Sequence, residues 1–215
     1  MSAQQTRDPM LIDFAHVIET DRLILRVPVP ANAKDLFQAA QETPDLKFWI
    51  PMAQPELPTL EKCELFCRKS LANFILRTSC PYLIFDHDRM LHGLIAVHRM
   101  NFEYGIFEIG YWLRSSSSGQ GIMTEATNMV TQYLFRNHAT TRVQILCNAS
   151  NTKSGAVAER LGFIKEGVLR NNDHVAARSI ACRDENIYAR TTATGLPELN
   201  WKSKFFNLNF DTQDP

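Results

Sequence analysis

The chain has 215 residues, 45% hydrophobic and 21% charged, with 23 Lys+Arg offsetting 23 Asp+Glu. Those values suit one globular domain over residues 1–215 and give no electrostatic footprint for nucleic acid or an anionic membrane surface. Five cysteines (Cys63, Cys67, Cys80, Cys147 and Cys182) are odd in number and contain no CxxC pair, which argues for reduced thiols in the cytoplasm and against a disulfide framework. No signal-like segment opens the chain and no apolar run is long enough to span a bilayer, so a cytoplasmic protein is expected. Cys63 and Cys67 read as packing residues, and His87, His92 and His98 lack metal-ligand spacing. No metal is expected.

Residues 1–18 read as a polar N-terminal arm. Leu23-Ile24-Leu25-Arg26-Val27 is the first predicted strand, stopped by Pro28 and Pro30. Asn32 is positioned to cap a helix bearing Leu36, Phe37 and Ala40, which Pro44 ends. A proline-punctuated loop with Phe48-Trp49-Ile50-Pro51 follows. Thr59 to Arg77 is a second helix with Leu60, Cys63, Cys67, Leu71, Phe74 and Ile75 on its apolar stripe. Three strands in meander are predicted at Tyr82–Phe85, Leu91–His98 and Phe102–Leu113, with Gly105 marking an irregularity.

Four serines and two glycines then separate the Glu108–Leu113 strand end from a helix whose stripe is Ile122, Ala126, Met129, Val130, Tyr133 and Leu134. Strand, small-residue loop and helix N-terminus make an anion site from backbone alone. It is neither a P-loop, since Ile122-Met123 replaces Lys-Ser/Thr, nor a dinucleotide fingerprint, since Thr124 occupies the third small position. Val143–Cys147 is a buried strand, parallel to its partner by the right-handed crossover rule. Asn148–Asn151 turns the chain into a helix from Lys153 to Leu161, stopped by Gly162. Two more strands are predicted near Phe163–Leu169 and Asn186–Thr191, and residues 195–215 form an aromatic C-terminal tail. Propensity alone gives a mixed α/β protein.

Ser118-Gly119-Gln120-Gly121-Ile122-Met123 resembles the acyl-CoA-binding motif of the GNAT N-acetyltransferases, Gln/Arg-x-x-Gly-x-Gly/Ala, with Ser118 and Met123 departing from it. The flanking Gly-Tyr-Trp-Leu and Thr-Glu-Ala resemble the RimJ/RimL branch, which acetylates ribosomal-protein N-termini. Asn151-x-x-Ser154 followed by Glu159-Arg160-Leu161-Gly162-Phe163 is a second, independent resemblance. Together they imply the GNAT fold: a mixed, strongly twisted sheet of about seven strands, helices on both faces, and a V-shaped splay between the two central strands. The resemblance implies acetyl-CoA as co-substrate and contacts to it at Trp112, Leu113, Ser118, Gly119, Gln120, Gly121, Ile122, Met123, Thr124, Asn148 and Asn151.

The chemistry needs a neutral amine, a polarised carbonyl and a proton for the leaving thiolate. Candidate bases are Asp173, by resemblance to RimL-type enzymes, and Glu108, by its place beside the thioester; Glu103 is a third carboxylate near that strand. The tyrosine many GNAT enzymes use as general acid is Ala158 here, and the resemblance puts Ser154 in its place; a helix-capping hydroxyl is the other reading of Ser154. Cys147 reads as an inert core thiol. The expected acceptor is a protein N-terminus, which the RimJ/RimL resemblance implies to be that of a ribosomal protein, in a ternary complex; a small amine (aminoglycoside, polyamine or amino acid) and a silent acyl-CoA-binding module are the alternatives. The chain is expected as a monomer or homodimer.

Overall fold

The computed structural model describes residues 8–49, 56–174 and 182–206, with the side chains of Asp173 and His174 outside the described set. In chain order the elements are β1 (Val17–Thr20), β2 (Leu23–Arg26), α1 (Ala33–Gln41), α2 (Leu46–Trp49), α3 (Leu60–Ile75), β3 (Cys80–Asp86), β4 (Leu91–Asn101), β5 (Ile106–Leu113), α4 (Ile122–Asn137), β6 (Arg142–Asn148), α5 (Thr152–Arg160), β7 (Ile164–His174), β8 (Cys182–Arg190) and β9 (Trp201–Lys204). The strands form a nine-stranded sheet in the order β7-β8-β6-β5-β4-β3-β2-β1-β9. β5 and β6 are parallel, joined by the α4 crossover, while the other neighbours are antiparallel.

Helices cover both faces, because β3 and β4 are apolar on both. Tyr82, Ile84, Ile95 and Val97 join the core under α4 and α5, together with Ile122, Ala126, Met129, Val130, Tyr133 and Leu134. Leu83, Phe85, Leu91 and Leu94 join the opposite core under α1 and α3, with Cys63, Cys67 and Trp112. Strand alternation divides the residues this way, with the register shift between Ile84 and Phe85 letting Leu91 and Leu94 share a face. Cys63 and Cys67 are fully buried packing residues, and burial pushes both thiols up to about 11.

The sheet is wider than the sequence suggests at its β1 edge. The predicted opening strand is a hairpin whose turn is held by Thr20, its hydroxyl accepting from Leu23 N at 2.9 Å. The tail supplies β9, which pairs with β1 and sets Lys202 and Lys204 against Glu19. Neither segment has an apolar run long enough to announce a strand. The predicted Phe102–Leu113 strand is shorter: Phe102–Gly105 is a turn, which places Glu103 outside β5. Gly105 sits at φ +64, where an added Cβ would lie 2.4 Å from the Ala139 carbonyl oxygen. Asn32 does not cap α1; its side chain accepts from Val29 N at 3.1 Å. Thr59 does cap α3, accepting from Lys62 N. Among the described residues no helix is long and apolar enough to cross a membrane.

His138, at the end of α4, is 3% exposed and stacks on Phe14 with centroids 3.8 Å apart. Burial, reinforced by Arg77, pulls its pKa down to about 4. The folded state therefore holds this imidazole neutral while the unfolded chain protonates it near 6.5, so stability is complete above pH 6.5 and falls toward pH 4. At 1.36 kcal/mol per unit the loss approaches roughly 3 kcal/mol. His138→Gln is expected to flatten the melting-temperature profile between pH 6.5 and 4, read by thermal denaturation; an unchanged slope would contradict this assignment.

Candidate functional site

The parallel β5–β6 ladder is short. It pairs Ile106 with Arg142, Phe107 with Val143 and Glu108 with Gln144, then stops. Ile109–Leu113 continues on the β4 ladder and Ile145–Asn148 on the β8 ladder, so the two central strands diverge from Glu108 onward. The divergence opens into a cleft of about 860 Å³ that runs from the N-terminus of α4 past α5 to Trp49 on α2. Polar backbone along a sheet normally finds a ladder partner. Here one flank of each strand is left for an inserted chain.

The loop at the cleft's far end is fixed from behind. Arg114 is 9% exposed; its Nε donates to Glu42 at 2.7 Å and its backbone N to His92 O at 2.7 Å. The Arg114 guanidinium holds the Glu42 carboxyl below the usual carboxylate range. His92 bridges Ser117 Oγ through Nδ1 (2.8 Å) and Asp86 through Nε2 (3.1 Å), tying the serine run to β3. Ser115 N donates to Thr43 Oγ1, and Arg22 Nη2 to the Gln120 carbonyl.

What this leaves free is the front. Glu125 N is the first α4 amide with a helical acceptor, the Gly121 carbonyl, and the N–H groups of Gly119 through Thr124 donate to no acceptor among the described residues. Gly119 and Gly121 sit at φ +81 and +77, and a Cβ on either would meet nothing within 4 Å. Open space in front, left-handed backbone and a helix N-terminus behind make an anion cradle. Glu125, in the first turn, is engaged by Thr20 (2.7 Å) and Arg22 (3.2 Å).

Of the residues expected to contact the cofactor, Trp112, Leu113, Ser118, Gly119, Gly121, Ile122, Met123, Thr124 and Asn151 line the cleft, as does Ser154. Gln120 and Asn148 do not line it. The Gln120 amide folds back on the Ser116 carbonyl, and Asn148 Oδ1 accepts from Ser150 N at 2.9 Å. Met123 and Ile122 are 6% and 3% exposed, so the Met123 departure from the motif is absorbed by the core and leaves the amides clear. Asn151 caps α5, accepting from Ser154 N at 3.2 Å. The capping role considered for the Ser154 hydroxyl therefore falls to Asn151. Ser154 Oγ is instead 3.4 Å from Tyr111 Oη, while Tyr111 donates to the Ser154 carbonyl at 3.0 Å across the opening. Burial raises the Tyr111 pKa and that of the Cys147 thiol.

Glu108 stands at the vertex, 4% exposed, and is fully engaged: Gln144 Nε2 at 2.9 Å, Arg99 Nη1 at 3.3 Å and His98 Nδ1 at 3.5 Å. It does not line the cleft. Asp173 lies on β7, in register with Arg183, and its side chain is outside the described residues. Tyr111, His92 and His98 were not selected from sequence. Only Tyr111 carries a local signal, as the alternate residue beside Gly110 and Trp112 on a predicted strand.

A cradle of main-chain amides predicts binding of inorganic pyrophosphate. Saturating pyrophosphate is expected to raise the melting temperature, and Gly121→Ala, forced toward a left-handed backbone that costs about 1–2 kcal/mol, to weaken the affinity roughly tenfold. Calorimetric titration measures both; equal affinity in the variant would contradict the cradle.

Known proteins share this fold. The model of the acetyltransferase (GNAT) domain matches residues 22–164. The ribosomal-protein-serine acetyltransferase of Escherichia coli (strain K12) is 35% identical over 109 residues, 51% of this chain and 59% of that protein, so the match spans less than two thirds of that relative. The N-acetyltransferase YoaA of Bacillus subtilis (strain 168), itself uncharacterized, is 24% identical over 155 residues, 72% of this chain and 86% of the relative. Among solved structures, the RimL ribosomal L7/L12 α-N-protein acetyltransferase in complex with coenzyme A superposes with a TM-score of 0.75 at 24% identity, covering 82% of this chain and 98% of that one. The microcin C7 self-immunity acetyltransferase MccE, in complex with acetyl-CoA and AMP, gives 0.74 at 23% identity, covering 80% and 93%. With its splayed central strands, its amide cradle and a family match over most of its length, the chain belongs to the GNAT acetyltransferase family.

Proposed function

We propose that this protein is an acetyl-CoA-dependent N-acetyltransferase that transfers the acetyl group directly, in a ternary complex, to the N-terminal α-amine of a protein. One observation carries the reading: Gly119 and Gly121–Thr124, whose N–H groups are unpaired, line the same cleft that parts β5 from β6. A diphosphate fits the first and an extended amide-bearing arm fits the second. The indole Nε1 of Trp112 is buried without a partner beside this cleft, a donor awaiting an acceptor. The relatives named for ribosomal-protein acetylation support a protein N-terminus as acceptor.

As co-substrate, acetyl-CoA supplies an activated thioester. The Gly119–Thr124 amides and the positive end of α4 hold the diphosphate. The freed β5 flank pairs with the arm as an added strand would, and its N–H groups steady charge on the acetyl oxygen. Ser154, whose Oγ lies 3.4 Å from Tyr111 Oη, gives the departing sulfur its proton in this reading. Trp49 and Asp45 line the other end of the cleft, on the α2 side, where the acceptor enters. The sheet runs unbroken from β7 to β9, which supports one domain across the chain.

Thiol release from acetyl-CoA tests this against peptides with free N-termini, the same peptides N-acetylated, a polyamine and an aminoglycoside. Release with the free N-termini alone is expected; release with the small amines alone would replace the acceptor, and coenzyme binding without any release would make the chain a silent acyl-CoA module. Ser154→Ala is expected to lower kcat about 100-fold with little change in acetyl-CoA affinity.

A further inference from the structure

On the face of the sheet opposite α4, β4 and β5 bring a histidine and a carboxylate together at the point where the central strands part. His98 Nδ1 lies 3.5 Å from Glu108 Oε1, while Arg99 and Gln144 hold the other carboxylate oxygen. Successive strand residues normally point to opposite faces. His98 and Arg99 both reach Glu108 because β4 is irregular here: the register shifts between His98 and Asn101, and Arg99 takes a left-handed backbone at φ +47. Bulges and strained non-glycine residues of this kind recur beside active sites, where they re-aim a side chain.

The other ring nitrogen lies over Gly110, on the β5 face that carries Trp112. Glu108, Gly110 and Trp112 share one face of β5, and Trp112 lines the cleft together with Trp49. His98 Nε2 lies against Gly110, 2.7 Å from where a Cβ on that residue would stand. Any side chain at 110 would displace the imidazole. His98 Nε2 has no hydrogen-bond partner among the described residues, and the side chain is 35% exposed. One nitrogen is thus held by a buried carboxylate and the other lies open over Gly110 of β5, the strand that would carry the thioester, which is the geometry of a base and its orienting group.

We propose that His98 is the general base for the acceptor amine and that Glu108 is its positioning residue; the assignment rests on the acetyltransferase reading above. His98 Nε2 takes a proton from the incoming ammonium. The freed nitrogen pair attacks the thioester carbonyl carbon, the carbon–sulfur bond breaks, and the sulfur leaves with a proton, one nitrogen hydrogen having been given up. The imidazolium formed is stabilised by Glu108 and later returns its proton to solvent. The groups facing the ring are Glu108 on β5 and Arg99 on β4, with neutral Gln144 behind Glu108 on β6. Burial lowers the His98 pKa below 6.5, Glu108 opposes this and Arg99 adds to it, so the ring is a neutral acceptor at pH 7.

The pH dependence of kcat, measured by thiol release at saturating peptide, tests the assignment, with acetyl-CoA affinity measured in parallel. The wild-type profile is expected to rise through a midpoint below pH 6.5. His98→Gln should lower kcat at pH 7 about 100-fold or more and abolish that limb while binding acetyl-CoA normally, and added imidazole should partly restore His98→Ala. Glu108→Gln should move the limb to lower pH, since it removes the group that raises the His98 pKa. Gly110→Ala, which keeps the imidazole but displaces it, should lower kcat like His98→Gln, and it decides the matter should the His98 variants lose coenzyme binding. A normal limb and rate in His98→Gln or in Gly110→Ala, or loss of the limb in Asp173→Asn alone, would overturn the proposal. Absence of thiol release in the wild type would instead refute the acetyltransferase reading.

Discussion

A parallel ladder that ends after Glu108 and Gln144 is the constraint on which the rest of the molecule depends. Each strand stays zipped on its outer side, to β4 and to β8, so the sheet keeps its integrity while its centre opens. An unmatched buried backbone group costs about 1–3 kcal/mol, so a gap of this kind survives only where water or a ligand reaches it. Here the gap is the cleft itself. Tyr111 spans it from β5 to the Ser154 carbonyl, fixing the distance between the strand and α5 without filling the space.

The loop after β5 depends on the same divergence, because β5 must run out of its ladder before the chain can turn into α4. Its rigidity is bought on the hidden side. Arg114 with Glu42 and the Asp86–His92–Ser117 chain hold the serines to α1 and β3. All the loop's directed polar contacts are thereby spent behind it, and the amides of Gly119–Thr124 face outward unpaired. The arrangement is preorganised, so an anion meets donors already in place rather than ordering them on arrival.

The α4 stripe, the β5–loop–α4 junction and the Gly162 stop were legible because each is written in adjacent residues, as a 3.6-residue period, a small-residue run and a glycine at φ +68. The Ser118 and Met123 departures leave the main-chain N–H groups of Gly119–Thr124 without acceptors among the described residues. Less could be read where partners are distant in sequence. β9 is a strand only because β1 offers an edge, and Val17–Thr20 is one only because Thr20 turns the chain back. Asn32 looked like a cap and is not, since a 3-10 turn at Pro30–Asn32 precedes α1 and takes its side chain. Arg99 joins the cross-strand Glu108–His98 pair through an irregularity that no local pattern announces. Ser154 and Asn151 were expected as site residues by resemblance, but their local arrangement, one capping α5 and one facing Tyr111, needed coordinates.

Backbone amide resonances during a titration with acetyl-CoA test the central claim most directly. The account predicts that Gly119–Thr124 shift together and saturate, that pyrophosphate alone reproduces those shifts, and that Ile109–Leu113 respond only to the full coenzyme. Unmoved Gly119–Thr124 amides at millimolar acetyl-CoA, or shifts confined to another face of the sheet, would contradict it.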